Sequence, residues 1–405
     1  MALSVEPRAS FLPEADVSGD APPAIRAVDD LHDVALARNA SDIHIEPAPN
    51  GGRVRLRVDG VLHDLRQLPP PLFAHVVSRV KLLAGMDIAD KRAPQDGRYQ
   101  IEAHGRCVDA RVSSMPTIEG EKLVIRLLDM RARVAQFEGL GMPEMLLRAF
   151  RRNVHAPHGF VLVCGPTGSG KTTTLYAALG ERNVDGQQCC TVEDPVEVRM
   201  SGVAQVQVNS RAGVTFATAL RSFLRQDPNV IMVGEMRDAE TAAVAMSAAL
   251  SGTLVLASLH ASDAPRTVQR LIELGLNRHA IAAGLSCVLA QRLVRRLCDA
   301  CRRRRCARGY VKLLGIADGE VVYEPGGCGA CEGSGYRGRA GIFEFLPMSP
   351  PLRACVADGA SPATLTRVAC DQGYEPMLTD GARRVRHGDT SVEELRRVLV
   401  LGEVA

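Results

Sequence analysis

Gly165-Pro166-Thr167-Gly168-Ser169-Gly170-Lys171-Thr172 decides how the rest of this chain reads. The stretch matches G-x-x-x-x-G-K-[ST]. Glycines in such a loop let backbone N–H groups curl around phosphate oxygens. A helix that follows directs its positive N-terminus at the same oxygens. Lys171 adds a point charge for the β- and γ-phosphates, and Thr172 offers a hydroxyl to Mg²⁺. With Thr173, these residues form the expected nucleotide-binding set. A glycine-rich turn can match the pattern by chance. Here residues 160–164 form an apolar strand before the loop and residues 171–181 a helix after it, which is the context the motif requires.

Working outward, 405 residues exceed what one hydrophobic core usually serves, so two or three domains are expected. Apolar residues make up 46% and aromatics 4%, with no Trp, so the cores are built from Leu, Val, Ile and Ala. A net charge of +3 gives no whole-chain sign of affinity for nucleic acid or membrane. The cations are nearly all Arg. Lys81, Lys91, Lys122, Lys171 and Lys312 are the only lysines, so a Lys inside the glycine loop is not compositional noise. Residues 1–20 lack a signal-peptide pattern. The apolar stretch 242–259 is broken by Ser247, Ser251, Gly252 and Thr253 and reads as helix, turn and strand rather than a membrane span. A cytoplasmic protein is expected. In that compartment twelve cysteines point to metal or buried thiols, not disulfides.

Residues 1–21 read as disordered, being rich in Pro, Ala and charge. Residues 22–130 read as a small α+β domain with short strands and one helix at 72–86. Arg53-Val54-Arg55-Leu56-Arg57-Val58-Asp59-Gly60 alternates and ends in a hairpin signal, and 107–112 and 123–128 are further strands. A linker is expected at 131–140. From 141 to 297, buried strands alternate with helices, which implies a parallel sheet covered on both faces. A cysteine-rich module covers 298–341 and a helical region 342–405. The fold class expected is α/β.

Other residues fill out the chemistry. Val230-Ile231-Met232-Val233-Gly234-Glu235 is an apolar strand ending in an acid, the usual place for a carboxylate that organises Mg²⁺. Gly234 stands where many NTPases have Asp, leaving Glu235 as the available acid. Thr191-Val192-Glu193-Asp194-Pro195 puts two carboxylates after another strand; Glu193 could orient an attacking water, or the pair could simply mark a turn set by Asp-Pro. His260 closes the strand 254–259 and could sense the γ-phosphate or serve structure alone. Cys298-Asp299-Ala300-Cys301 and Cys328-Gly329-Ala330-Cys331 are two C-x-x-C knuckles that fit a tetrahedral, structural zinc site, with Cys306 as a fifth thiol nearby. A phosphate-loop engine also needs a cation for the transition state, often supplied in trans. Arg98 and Arg111 in the small domain are available, and chemistry alone selects neither. The run Arg302 to Arg305 reads as an exposed charged face.

In this order the motifs resemble the secretion ATPases that drive type II secretion and type IV pilus assembly. Ser41-Asp42-Ile43-His44-Ile45-Glu46-Pro47 and Asp87-Ile88-Ala89-Asp90-Lys91-Arg92-Ala93-Pro94-Gln95-Asp96-Gly97-Arg98 are similar to signatures of that family's N2 domain. Residues 191–197 are similar to its Asp box, 224–238 to its Walker B region, and Leu259-His260 to its His box. Gln291-Arg292-Leu293-Val294 precedes the cysteines as in the family, and Gly335-Tyr336-Arg337-Gly338-Arg339 follows them. The resemblance spans about 22–400. It implies a RecA-like motor domain behind a PAS-like N2 domain, and a homo-hexamer with ATP between protomers. It also implies N2 arginines that reach the γ-phosphate: Arg98 and Arg111, with Arg225 a further choice. Partners would be an inner-membrane platform protein and, through it, the membrane surface; ATP, Mg²⁺ and Zn²⁺ would be the cofactors. Hydrolysis would drive assembly of a pseudopilus for type II secretion, or else of a type IV pilus or DNA-uptake fibre. Two departures stand out. The chain reads as a short form without the extra N-terminal domain of many relatives. Thr253 stands where the family usually has a His, and Ala261-Ser262 replaces a more usual Thr-Asn.

Two other classes were weighed. A nucleic-acid translocase also uses phosphate-loop rings, but small net charge and few aromatics beside the basic run speak against it. A scaffold ring that binds without hydrolysing conflicts with Lys171, Thr172, Glu193 and Glu235 all being present.

Overall fold

The computed structural model describes residues 21–103, 105–129, 136–307 and 314–399. Residues 1–20 of the segment expected to be disordered, 1–21, and residues 131–135 of the expected linker, 131–140, lie outside these residues. The chain divides into two compact units, one ending at Leu128 and the other beginning at Asp129.

The first unit contains α1 (Pro23–Ala37), β1 (Asp42–Ala48), β2 (Gly51–Val58), β3 (Val61–Leu68), α2 (Pro70–Leu83), β4 (Gln95–Ala103), β5 (Arg106–Thr117) and β6 (Gly120–Asp129). The strands form one six-stranded sheet in the order β3-β2-β1-β6-β5-β4. The expected hairpin is present: Asp59 and Gly60 take φ values of 49° and 82°, both left-handed, and Val58 pairs with Val61. Two left-handed residues match the twist of the flanking strands. Alternation then sorts the side chains. Ile43, Ile45, Val54, Leu56, Leu123 and Ile125 turn to the core, where α1 and α2 pack. Asp42, His44, Glu46, Arg55 and Lys122 fall on the opposite face. There burial pushes the Glu46 carboxyl up, but Arg55 and Lys122 outweigh it and hold it down at about 2.

Two differences from the sequence reading concern this unit. One helix was expected, and α1 is a second. Its apolar residues Ala27, Val28, Leu31 and Ala35 keep helical spacing, but the segment opens on Pro22-Pro23 with no side-chain cap, so the usual start signal is missing. The other is Lys81, which is 1% exposed. Its Nζ donates to Glu121 Oε1 at 2.6 Å and to the Asp90 carbonyl at 2.7 Å, and Ser114 Oγ donates to the same Glu121 oxygen. This buried cross pins the loop 84–94 to the sheet.

The second unit contains α3 (Glu144–Val154), β7 (Gly159–Cys164), α4 (Lys171–Arg182), β8 (Cys189–Glu193), β9 (Val203–Gln207), α5 (Phe216–Phe223), β10 (Val230–Val233), α6 (Ala239–Leu250), β11 (Leu254–Leu259), α7 (Ala264–Glu273), α8 (Arg278–Gly284), β12 (Leu285–Leu297), β13 (Arg303–Cys306), β14 (Val321–Glu324), β15 (Tyr336–Pro347), α9 (Pro350–Ala357), α10 (Pro362–Cys370), α11 (Met377–His387) and α12 (Val392–Val398). Its seven-stranded sheet runs β15-β12-β7-β11-β10-β8-β9, parallel except for β15. The fold class is α/β, as read from the alternation. The apolar stretch 242–259 is helix, turn and strand, and no described helix is long and apolar enough to cross a membrane.

The expected boundary at 297 falls inside a hairpin. β12 pairs antiparallel with β15 from Cys287↔Pro347 to Leu297↔Tyr336, so the sheet resumes beyond the cysteine module. The region from 342, expected to be helical, therefore opens in a strand before its four helices. Phe137, within the stretch expected as linker, is fully buried and stacks 5.5 Å from Phe150. Glu344 on β15 joins these helices to the sheet: its two oxygens accept from the backbone N–H groups of Ala264 and Met377, so one side chain caps α7 and α11 together.

Replacing Lys81 by Met strands the buried Glu121 carboxylate. The variant should lose about 3–5 kcal/mol in the unfolding transition of the first unit, and Lys81→Met/Glu121→Leu should recover most of it, measured by urea denaturation.

Candidate functional site

β7 is fully buried at the middle of the sheet, between β11 and β12, and delivers the phosphate loop at its C-terminal end. Gly165 has φ +151°, and a Cβ there would lie 2.4 Å from the Gln291 carbonyl oxygen. Only glycine passes this close to β12. Gln291 is 2% exposed and bridges the loop: Nε2 donates to the Ser169 carbonyl at 2.8 Å, and Oε1 accepts from Thr174 Oγ1 at 2.8 Å. Lys171 Nζ donates to the carbonyls of Gly165 and Pro166, both at 2.9 Å, which puts the ammonium over the loop. Burial pushes Lys171 down from its ordinary value, and Glu235 works against that. Ser169 Oγ is buried with no hydrogen-bond partner, so it is an unused polar atom inside the loop. Pro166, Thr167 and Gly168 are exposed, Thr172 is half-buried in the first turn of α4, and Thr173 is exposed. A loop with exposed backbone, a helix N-terminus and an orphan hydroxyl suits an anion.

The other strand ends line up beside it. β11, β10 and β8 follow β7 across the sheet, with Leu259 level with Cys164, Ala257 with Val233, and Val233 with Val192. Lys171, His260 and Glu235 therefore come after β7, β11 and β10, and Glu193 ends β8, so all four lie along the edge formed by the carboxyl ends of four neighbouring parallel strands, where α/β sheets hold ligands. Glu235 accepts from Arg237 Nη2 at 2.8 Å and pairs with His260 Nε2 at 2.7 Å. Burial pushes the Glu235 carboxyl up, but Arg237 and His260 outweigh it and hold it below the usual range. His260 keeps 44% of its side chain exposed. Gly234 is a close approach: a Cβ there would lie 3.3 Å from Glu193 Cα and from the Val192 carbonyl. A longer residue at 234 would press on the end of β8.

Glu193 differs from Glu235 in being 2% exposed and held by three donors. Thr191 Oγ1 and Gln205 Nε2 donate to Oε1, and the Tyr176 hydroxyl donates to Oε2. Asp194, next in the chain, is exposed. Thr253 lies at the opposite end of β11 from His260. The six residues of β11 separate the two by about 23 Å, so the residue at 253 stands apart from the phosphate edge.

Arg98 and Arg111 are direct cross-strand partners on β4 and β5 of the first unit. Arg98 is exposed; Arg111 Nε lies 3.5 Å from Asp109. Like charges placed opposite each other in a ladder are unfavourable, and Asp109 offsets part of that repulsion. Arg225 lies beyond α5, exposed, with its guanidinium turned back to the Arg221 carbonyl and Ser222 Oγ.

The four cysteines of the two knuckles converge. Sγ atoms of Cys298, Cys301, Cys328 and Cys331 all lie within 4.8 Å of one another. Backbone N–H groups of Cys328 and Gly335 donate to Cys331 Sγ at 3.2 and 3.1 Å; against burial, they bring that thiol down to about 6. Such a set could hold one metal ion. Cys306, the fifth thiol, is exposed on the β13–β14 ribbon opposite Val321 and is not in the cluster.

Sequence reasoning gave no role to Gln291, Tyr176 or Arg237. Their partners lie in other elements, and only for Arg237, two residues from Glu235, was a local signal available.

The family described as Type II/IV secretion system protein matches residues 17–397. The type II secretion system protein HxcR of Pseudomonas aeruginosa is 46% identical over 379 residues, covering 94% of this chain and 78% of that one. The type IV pilus assembly ATPase PilB of Myxococcus xanthus is 43% identical over 385 residues, covering 93% and 68%. Among solved structures, the ATPase DotB of Legionella pneumophila shares the fold with a TM-score of 0.68 at 21% identity, covering 94% of this chain and 98% of that one. The pilus retraction motor PilT with bound ADP does so at 0.62 and 24%, covering 92% and 96%.

Replacing Gln291 by Leu removes both bonds to the loop. Affinity for a fluorescent ATP analogue should fall about 10- to 100-fold, the weight of a buried polar pair left half-made.

Proposed function

This chain belongs to the type II/IV secretion system protein family, and from that membership we propose a motor that spends ATP on building a pseudopilus for type II secretion. The observation that carries the reading is the row of Lys171, His260, Glu235 and Glu193 along one sheet edge beside the phosphate loop. Similar identity to a type IV pilus assembly ATPase makes pilus assembly the second reading. The working form is a homo-hexamer on the cytoplasmic face of the inner membrane, held there by a platform protein.

In this reading the residues divide the work. Backbone N–H groups of 167–170 and the start of α4 cradle the phosphates, and Lys171 leaves its carbonyl partners to meet the β- and γ-oxygens. Glu193 offers an acceptor to the attacking water. His260, paired to Glu235, stands at the edge where the γ-phosphate would be sensed. Arg98 and Arg111 supply positive charge to the transferred phosphoryl group from a protomer's first unit. Thr172 and Glu235 would hold Mg²⁺, which supplies charge neutralisation on the phosphates.

The cysteine cluster suits zinc. A tetrahedral zinc with bonds of about 2.3 Å sets its sulfurs about 3.8 Å apart. The Cys298–Cys328, Cys301–Cys331 and Cys328–Cys331 separations are 3.9, 3.7 and 3.7 Å. The metal would be structural, closing a module whose strands β13 and β14 are short and mostly exposed.

Two measurements test this. Mg²⁺-dependent ATP hydrolysis by the oligomer should fall at least about 100-fold in Lys171→Ala; activity that survives the change removes the reading. Elemental analysis should find one zinc per chain, lost in Cys331→Ser together with the thermal stability of the module; a metal-free, equally stable protein would contradict it.

A further inference from the structure

Tyr176 lies in the second turn of α4, five residues after Lys171, and is 3% exposed. A buried tyrosine in a Leu- and Ala-lined core needs a reason to carry a hydroxyl, because Phe fills the same space without a polar atom to satisfy. Here the hydroxyl is fully used. It donates to Glu193 Oε2 and accepts from the backbone N–H groups of Glu197 at 3.1 Å and Val198 at 3.3 Å. The same stretch of chain is gripped from β9, where Gln205 donates to both Glu193 Oε1 and the Val198 carbonyl.

A carboxylate has about four acceptor sites. Tyr176, Thr191 and Gln205 occupy three, which leaves Glu193 about one, in a direction the other three define. We propose that Tyr176 is a positioning residue for hydrolysis: it carries the placement of the phosphate helix to Glu193, so that the loop gripping ATP and the acid facing the water move as one piece. The proposal rests on the reading of Glu193 as the group that orients the attacking water. Tyr176 touches neither nucleotide nor water; it acts through the carboxylate.

Steady-state ATPase assays on the full chain decide it, with oligomeric state followed by sedimentation and folding by thermal melts. Tyr176→Phe keeps the ring and removes the hydroxyl. Its kcat should fall about tenfold, the worth of a hydrogen bond to a charged group, while KM and affinity for a fluorescent ATP analogue stay within about twofold. A purely structural tyrosine would loosen α4 and weaken nucleotide binding instead. Glu193→Gln should lower kcat further, and Tyr176→Phe/Glu193→Gln should be no slower than Glu193→Gln alone. Thr191→Val removes a different donor from the same carboxylate at unchanged volume; it should repeat the kcat-only loss and serves if Tyr176→Phe melts early. A weakened affinity at unchanged kcat, or a double variant slower by the full product of the two losses, overturns the role of Tyr176 while Glu193 keeps its own. A Glu193→Gln chain with unchanged kcat overturns the reading of Glu193 and the proposal with it.

Discussion

The hydrogen bond from Gln291 Nε2 to the Ser169 carbonyl is the tie on which the second unit depends. Within the loop, Ser169 N–H donates to the Pro166 carbonyl at 3.3 Å and Lys171 Nζ to the carbonyls of Gly165 and Pro166. Gln291 adds a brace from outside, from the middle of β12. That strand reaches further than its neighbours, thirteen residues against six for β7. Its middle carries the loop's support and its C-terminal end runs directly into Cys298. Nucleotide loop and cysteine cluster are thus mounted on a single extended strand, with six residues, about 23 Å, between Gln291 and Cys298. Glu344 on the adjacent strand secures the same region from behind by capping α7 and α11.

Along the loop edge, the two acids are built for different duties. Glu235 is partly open and balanced by Arg237 and His260, so it can exchange partners. Glu193 is closed in by donors on three elements, so its direction is set by the packing around it. The short reach from Gly234 to the end of β8 belongs to the same design. With no side chain at 234, the two strand ends approach closely enough for both carboxylates to share one edge.

What could be read from the sequence was what is local. The phosphate loop, the Asp59-Gly60 turn and the paired C-x-x-C knuckles each carry their chemistry within a few residues, and each stands where it was expected. The C-x-x-C spacing even survived the distraction of Cys306, which the ribbon holds elsewhere. What escaped depends on partners far along the chain. Gln291 meets Thr174 across 117 residues and Ser169 across 122. β15 hid in a region otherwise helical because its partner precedes the whole cysteine module. Lys81 carries no local signal of its own, because its structural task comes from burial and from Glu121, 40 residues away. The pairing of Arg98 with Arg111 is a register fact, visible only once β4 and β5 are set side by side.

The way β12 and β15 bracket the cysteine module has an evolutionary side. Leu297 and Tyr336 face each other across the ladder, so the chain leaves the sheet and returns to it at adjacent positions. Antiparallel partners sit only about 5 Å apart, a gap that a tight turn closes. The module is therefore an insertion by connectivity, but not a detachable one: Ile316 and Val322 pack in the same buried cluster as the sheet, and Arg386 of α11 donates to Glu320 and to the Gly315 carbonyl, so any change of length between the two strands has to keep that packing.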